Sequence, residues 1–166
     1  MDSENPQVAE IRRGIADSYN RLNQLVTVDL AGLSPDRLYT APTENEWSLM
    51  QNLAHIIEFM PYWGNEIAGL VETPGRNFGR LLTDETRLGA IVEHGLDNLE
   101  TVRAALPVSY NRLQAALDGL DDADLTKTGV HIKFGEQRLE WFIGEFIADH
   151  LKNHLTQMRE CLAVIA

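Results

Sequence analysis

His150 and His154 stand four residues apart in DHLKNHLTQM, a segment whose apolar residues recur at helical spacing. On a helix the two lie about 40° apart, in line with Ile143 and Ile147 on the same face. Two imidazoles side by side on an apolar stripe are costly unless their nitrogens find partners. Protonating both would set like charges against each other. A metal ion answers both costs by taking a lone pair from each neutral ring. The i, i+4 spacing suits this, since it brings the side chains to roughly 6 Å of one another. A pair of core histidines bonded to carboxylates or water remains the alternative, and the spacing leaves both readings open.

His55 is the third candidate ligand. It lies about 110° from the centre of its helix's apolar seam, on a flank shared with Phe59, Tyr62 and Glu66. Alone it reads as a boundary histidine, but helical bundles build metal sites from facing helices. Two familiar arrangements are absent. A zinc-protease helix needs H-E-x-x-H, and Leu151 occupies the position of the glutamate. Di-iron bundles need Glu-x-x-His, and no histidine here has a glutamate three residues before it. A three-nitrogen set without carboxylate ligands leaves coordination positions open, as catalytic sites do. No catalytic residue beyond the ligands is identified. Glu66 and Tyr62 are the first candidates for supporting His55 or moving protons.

The remaining chemistry-bearing residues read as structural. His94 falls in the last turn of a short helix, where a cation meets the helix's negative end. His131 is placed on the polar side of an extended segment. Trp47 and Trp141 are read as packing anchors, and Arg76, Arg80 and Arg87 as a solvated cluster around a loop. The single cysteine, Cys161, excludes an internal disulfide and any cysteine-based zinc site, and its apolar helix face makes it a core residue.

Four long amphipathic segments must position the histidines. Asn5-Pro6 starts the first, over about residues 6–28, with Asn as N-cap. Ser34-Pro35 starts a short helical turn. Ser48 with Gln51 forms a capping box ahead of the second long helix, whose seam is Leu49, Leu53, Ile56, Met60, Trp63, Ile67 and Leu70. Pro61 should remove one of its backbone hydrogen bonds and kink it. A loop over 73–80 and a short helix over about 84–93, ending near Gly95, follow. Asp97 and Glu100 are the expected caps of the third long helix, which carries Leu99, Val102, Leu106, Tyr110, Leu113 and Leu117, with a second kink at Pro107. In the connection from Asp121 to Gln137, Val130, Ile132 and Phe134 alternate with His131 and Lys133, an extended segment but no convincing sheet. The fourth helix covers about 138–164. The expected fold is an all-α four-helix bundle, one domain over residues 1–166. The connection over about 72–96 is long enough for a crossover, and simple up-and-down hairpins stay equally open.

Composition narrows the partners. The chain has 166 residues, 44% hydrophobic and 23% charged, as an ordinary globular protein does. Its net charge of -11 and the lack of a basic stripe argue against nucleic acid. No apolar run approaches the roughly 20 residues that span a membrane. The acidic start MDSENPQVAE is unlike a secretory signal, which points to the cytoplasm.

The stretch LSPDRLYTAPTENEWSLMQNLAHIIEF, with tryptophan-serine opening the helix and His55 seven residues after the serine, resembles the DinB-like superfamily, including its YfiT-like metal-dependent hydrolases. DHLKNHLTQM resembles the superfamily's second signature, two histidines four apart on the last long helix. GEQRLEWFIGEFIADH resembles the lead-in to it. The resemblance implies a bundle of up-down-down-up topology, often a homodimer. It maps the superfamily's metal ligands onto His55, His150 and His154. It implies one divalent ion, typically nickel or zinc, and in some branches a low-molecular-weight thiol cofactor. The function then expected is a metal-dependent hydrolase or thiol S-transferase acting on a small molecule. A non-enzymatic, metal-stabilised stress or small-ligand-binding module is the alternative.

Overall fold

The computed structural model describes residues 5–165. Helix α1 spans Pro6–Gln24 and runs into a π-helical turn over Leu25–Asp29. A short α2, Pro35–Tyr39, precedes the long α3, Leu49–Glu72. Then come α4, Glu85–His94, and α5, Leu99–Asp118. Strands β1, Thr128–His131, and β2, Gly135–Arg138, lead into α6, Leu139–Ile143. A second π-helical turn, Gly144–Ala148, joins α6 to α7, Asp149–Ile165.

The contacts between helices fix their directions. Arg12 pairs with Asp118, and Tyr19 stacks on Tyr110, so α1 and α5 are antiparallel. Ser109 meets Ile57, while a Cβ on Gly64 would touch Leu113, so α3 and α5 run parallel. His55 meets His150 and Asn52 meets His154, so α3 and α7 are antiparallel. This is the up-down-down-up bundle. The parallel α3–α5 pair demands the crossover connection, and α4 provides it by packing back along α3. Leu22, Leu53, Phe59, Ile67, Leu113, Phe142 and Met158 are among the fully buried core residues. Burial of each such side chain contributes about 1.5–3 kcal/mol. Cys161 joins them at 2% exposure, and burial raises its thiol pKa. Among the described residues no helix is long and apolar enough to cross a membrane.

Local signals explain most helix ends. Both halves of the Ser48–Gln51 capping box form. The Asp84 side chain caps α4, and Gly95 ends it. Helix α3 continues through Pro61, whose missing N–H would orphan the Ile57 carbonyl. The Ser109 hydroxyl of α5 donates to that carbonyl instead. Helix α5 likewise runs through Pro107.

Four local expectations need correction. Asn5 occupies the N-cap of α1 as expected, but its side chain makes no cap bond to the helix. Asp122, far along the chain, accepts from the Gln7 and Val8 N–H groups at 3.2 and 3.0 Å, and Asn5 Oδ1 accepts from Asp122 N–H at 3.1 Å. Asn98, rather than Asp97 or Glu100, caps α5. Asp97 instead takes the His94 ring at 2.9 Å. The extended segment is one arm of a two-stranded antiparallel hairpin pairing His131 with Gly135 and Thr128 with Arg138. Its inward face is the opposite of the one expected. Ile132 is 78% exposed while His131 is 2% exposed, because the imidazole packs on Phe134 and Phe146. His131 Nδ1 accepts from Lys133 N–H at 3.1 Å and its Nε2 donates to the Arg80 carbonyl at 3.3 Å, so both nitrogens are satisfied.

Candidate metal centre

The start of α3 and the first turns of α7 build the centre together. His55 and His154 are buried at 2% and 4% exposure, and His150 is half-buried beside them. His55 Nε2 lies 3.0 Å from His150 Nε2, which lies 3.1 Å from His154 Nε2. The ligand nitrogens of all three lie within 4.8 Å of one another, a group that could hold a metal ion. Two nitrogens each about 2.1 Å from a shared ion stand about 3–3.4 Å apart at tetrahedral or octahedral angles.

Asn52 fixes the state of His154. Its amide nitrogen donates to the Ser48 and Trp47 carbonyls at 3.0 and 3.3 Å, so its oxygen is left to accept. That oxygen lies 2.8 Å from His154 Nδ1, which must therefore carry the hydrogen. His154 Nε2 is left with a bare lone pair aimed at the centre. A single proton on His150 Nε2 can serve only one of its two close nitrogen neighbours well. A divalent ion serves all three, so the donor set fits one.

His55 carries the second sign. Its Nδ1 is buried without a hydrogen-bond partner, and Glu58 Oε2 stands 4.0 Å away, beyond hydrogen-bonding reach. Glu58 is held by Arg80 at 2.6 Å. Arg80 in turn pairs with Asp84 at 3.3 Å and lies 3.8 Å over the Tyr62 ring. Glu58 was missed in the sequence although it sits one turn from His55 on the same side of the helix. Glu66, a sequence candidate, is committed elsewhere: it accepts from Gly79 N–H at 2.6 Å and meets Arg76 at 3.5 Å. Tyr62 reaches the site only through Arg80, and burial followed by Glu66 raises its phenol pKa.

All three imidazoles are held neutral. Burial, then His154, Arg87, His150 and Arg80, lowers His55 to about 2. Burial, then His150 and Arg87, lowers His154 to about 3. Burial, then Arg87, lowers His150 to about 4. Neutral rings are the form that ligates metal.

Two clefts open on either side of His150. One, of about 400 Å³, is polar, with Asn45, Trp47, Arg87, Asn153 and Gln157 in its wall along with His150 and His154. The other, of about 430 Å³, is lined by Leu81, Leu82, Phe134, Phe146 and Lys133. Two sequence readings change here. Trp47 is no mere packing anchor, since its ring stacks on His154 with centroids 5.9 Å apart. Arg80 and Arg87 line the clefts beside the site rather than facing bulk water, whereas Arg76 is half-buried against Glu66. Trp141 packs against Phe142 and Phe146 as expected, and His94 closes the last turn of α4.

Over 97% of this chain and 96% of the other, the fold matches YfiT from Bacillus subtilis, described as a probable metal-dependent hydrolase with an unusual four-helix bundle topology. The TM-score is 0.76 at 15% sequence identity. It also matches a mycothiol-dependent maleylpyruvate isomerase, TM-score 0.64 at 12% identity, over 96% of this chain and 60% of the isomerase. At these identities the likeness is one of fold. No curated protein matches the sequence closely enough to add to this. The profile of the DinB superfamily matches residues 8–158, nearly the whole helical framework and all three histidines. The chain belongs to the DinB superfamily.

Proposed function

We propose that this protein is a metal-dependent enzyme in which His55, His150 and His154 hold one divalent ion, nickel or zinc, next to a small-molecule cleft. The observation that carries the reading is that His150 Nε2 lies 3.0 and 3.1 Å from the Nε2 atoms of His55 and His154, all three within 4.8 Å of one another and with no carboxylate among them. A dication held by these three neutral nitrogens would supply Lewis acidity toward a substrate group, water or thiol. The chain's own residues do the positioning. Asn52 Oδ1 holds the hydrogen on His154 Nδ1 and so keeps Nε2 free to ligate. Trp47 covers the His154 ring and limits water on that side.

Hydrolysis needs room for one substrate, whereas thiol transfer needs room for two reactants. The second cleft across His150 supports the transferase form, with a low-molecular-weight thiol as co-substrate. A homodimer in the cytoplasm completes the reading, and sedimentation velocity measures the first part of it.

Elemental mass spectrometry of the purified protein tests the centre directly. About one nickel or zinc per chain is expected, together with turnover of ester, amide or electrophile panels that stops on chelation. Turnover that requires added thiol selects the transferase, and turnover in its absence the hydrolase. A full complement of metal without turnover on any panel favours the stress or ligand-binding module. No metal after incubation with either ion sinks the proposal.

A further inference from the structure

Arg87 stands out among the cations near the centre. Arg80 has two carboxylate partners, but the Arg87 guanidinium has none among the described residues. One of its N–H groups donates to the Leu82 carbonyl at 2.8 Å, and the guanidinium carbon lies 5.3 Å from the Trp47 ring centre. Asp84, three residues before it, is engaged with the Arg87 backbone N–H and with Arg80. Burial, followed by Arg80, lowers the guanidinium's pKa, although it stays charged. Glu58 and Asp84 offset part of this without touching the guanidinium, and a half-buried guanidinium with no carboxylate in direct contact is better satisfied when an anion joins it.

Its surroundings define that anion. The cleft it lines offers amides from Asn45, Asn153 and Gln157, with His150 and His154 at its floor. The one carboxylate on the wall, Glu46, is exposed and accepts from the Thr43 hydroxyl at 2.7 Å. Arg87 is thus the one cation among the described residues of the wall, and its only acidic neighbour there is already engaged with Thr43, in a chain of net charge -11. The planar fork of a guanidinium matches the two oxygens of a carboxylate.

We infer that the Trp47–Arg87 cleft binds a small carboxylate-bearing molecule, its carboxylate paired with Arg87 and its other end against His150 and His154. The inference rests on the proposed function for what happens at that other end, but not for the carboxylate contact itself. It names Arg87 as a specificity-determining residue.

Titration calorimetry with succinate tests it, alongside neutral succinamide and inorganic phosphate. The proteins are zinc-incubated and chelator-stripped wild type, Arg87→Gln and Arg87→Lys, each checked by circular dichroism. Succinate should bind wild type about 10- to 100-fold more tightly than Arg87→Gln, the loss expected for one charge-assisted pair. Arg87→Lys should recover part of the loss, and succinamide should not bind. Equal affinity in Arg87→Gln and wild type overturns the inference. So does binding of succinamide or phosphate as tight as succinate, or absence of succinate binding to wild type with and without zinc. Arg87-dependent binding to a protein that takes up no metal would preserve this inference while ending the metal proposal.

Discussion

Helix α3 meets α5 on one side and α7 on the other, and the two contacts differ in kind. Toward α5 the backbones approach closely. A Cβ on Gly64 would lie 3.3 Å from the Arg112 carbonyl, and the one carbonyl freed by Pro61 is taken by Ser109. The carbonyl that the proline leaves free is thereby satisfied within the protein. Toward α7 the helix instead presents Asn52 and His55 to His150 and His154, leaving His55 Nδ1 without a partner and three ring nitrogens crowded together. A buried polar set that its own fold does not satisfy marks where an outside group belongs. The α5 face is closed by its own contacts, whereas the α7 face gathers the three histidines of the proposed centre.

The contrast can be broken most severely at α7. His150→Ala with His154→Ala should reduce bound metal from about one ion per chain to none by elemental mass spectrometry, with the helical circular dichroism retained. Full occupancy in the double variant would erase the difference between the two faces.

Acid should act on the same face. An unfolded histidine titrates near 6.5, whereas these three titrate at about 2, 4 and 3 in the fold. Between those values the unfolded chain binds more protons, so stability falls with falling pH. The metal-free protein should hold its melting temperature above pH 6.5 and lose it progressively from there toward pH 4. Replacing the three histidines by glutamine should flatten this part of the profile. An unchanged slope would place the acid sensitivity elsewhere.

Glu58→Gln is the next largest change. If the carboxylate supports His55, zinc affinity measured by chelator competition should drop about 10- to 100-fold, with Asp84 still holding Arg80. Unaltered affinity would reduce Glu58 to a partner of Arg80 alone. The smallest effect belongs to the α5 face. Ser109→Ala should destabilise by about 1–3 kcal/mol in urea unfolding, the cost of an unpaired buried carbonyl, and leave metal affinity untouched. An equal loss of metal would show the two faces to be coupled.

The helices were legible in the sequence because each must bury one stripe, and stripes such as Leu49 to Leu70 are periodic. So were the Ser48 cap and the i, i+4 histidine pair, which depend on neighbours in the chain. Strand β2, GEQR, escaped because most of its side chains face solvent, so nothing in its pattern alternates. His131 was misplaced for a related reason. A histidine satisfied by two backbone groups is as acceptable inside as an isoleucine, and polarity alone does not say which face turns inward. Trp47 and Arg87 reach the centre through tertiary contacts, while Glu58 follows His55 by three residues on the same helix, a hint that the sequence does offer. Choosing Glu66 instead overlooked the 73–80 loop, whose Gly79 N–H claims that carboxylate.

The cap on α1 has a consequence for how the chain is made. The residue that covers the first N–H groups of this helix lies 115 residues downstream of Gln7. At a synthesis rate of about 5–20 residues per second, the start of α1 waits on the order of ten seconds for its cap. Until Asp122 emerges and α5 docks, that first turn is free to fray, so α1 is made before α5 but completed only after it.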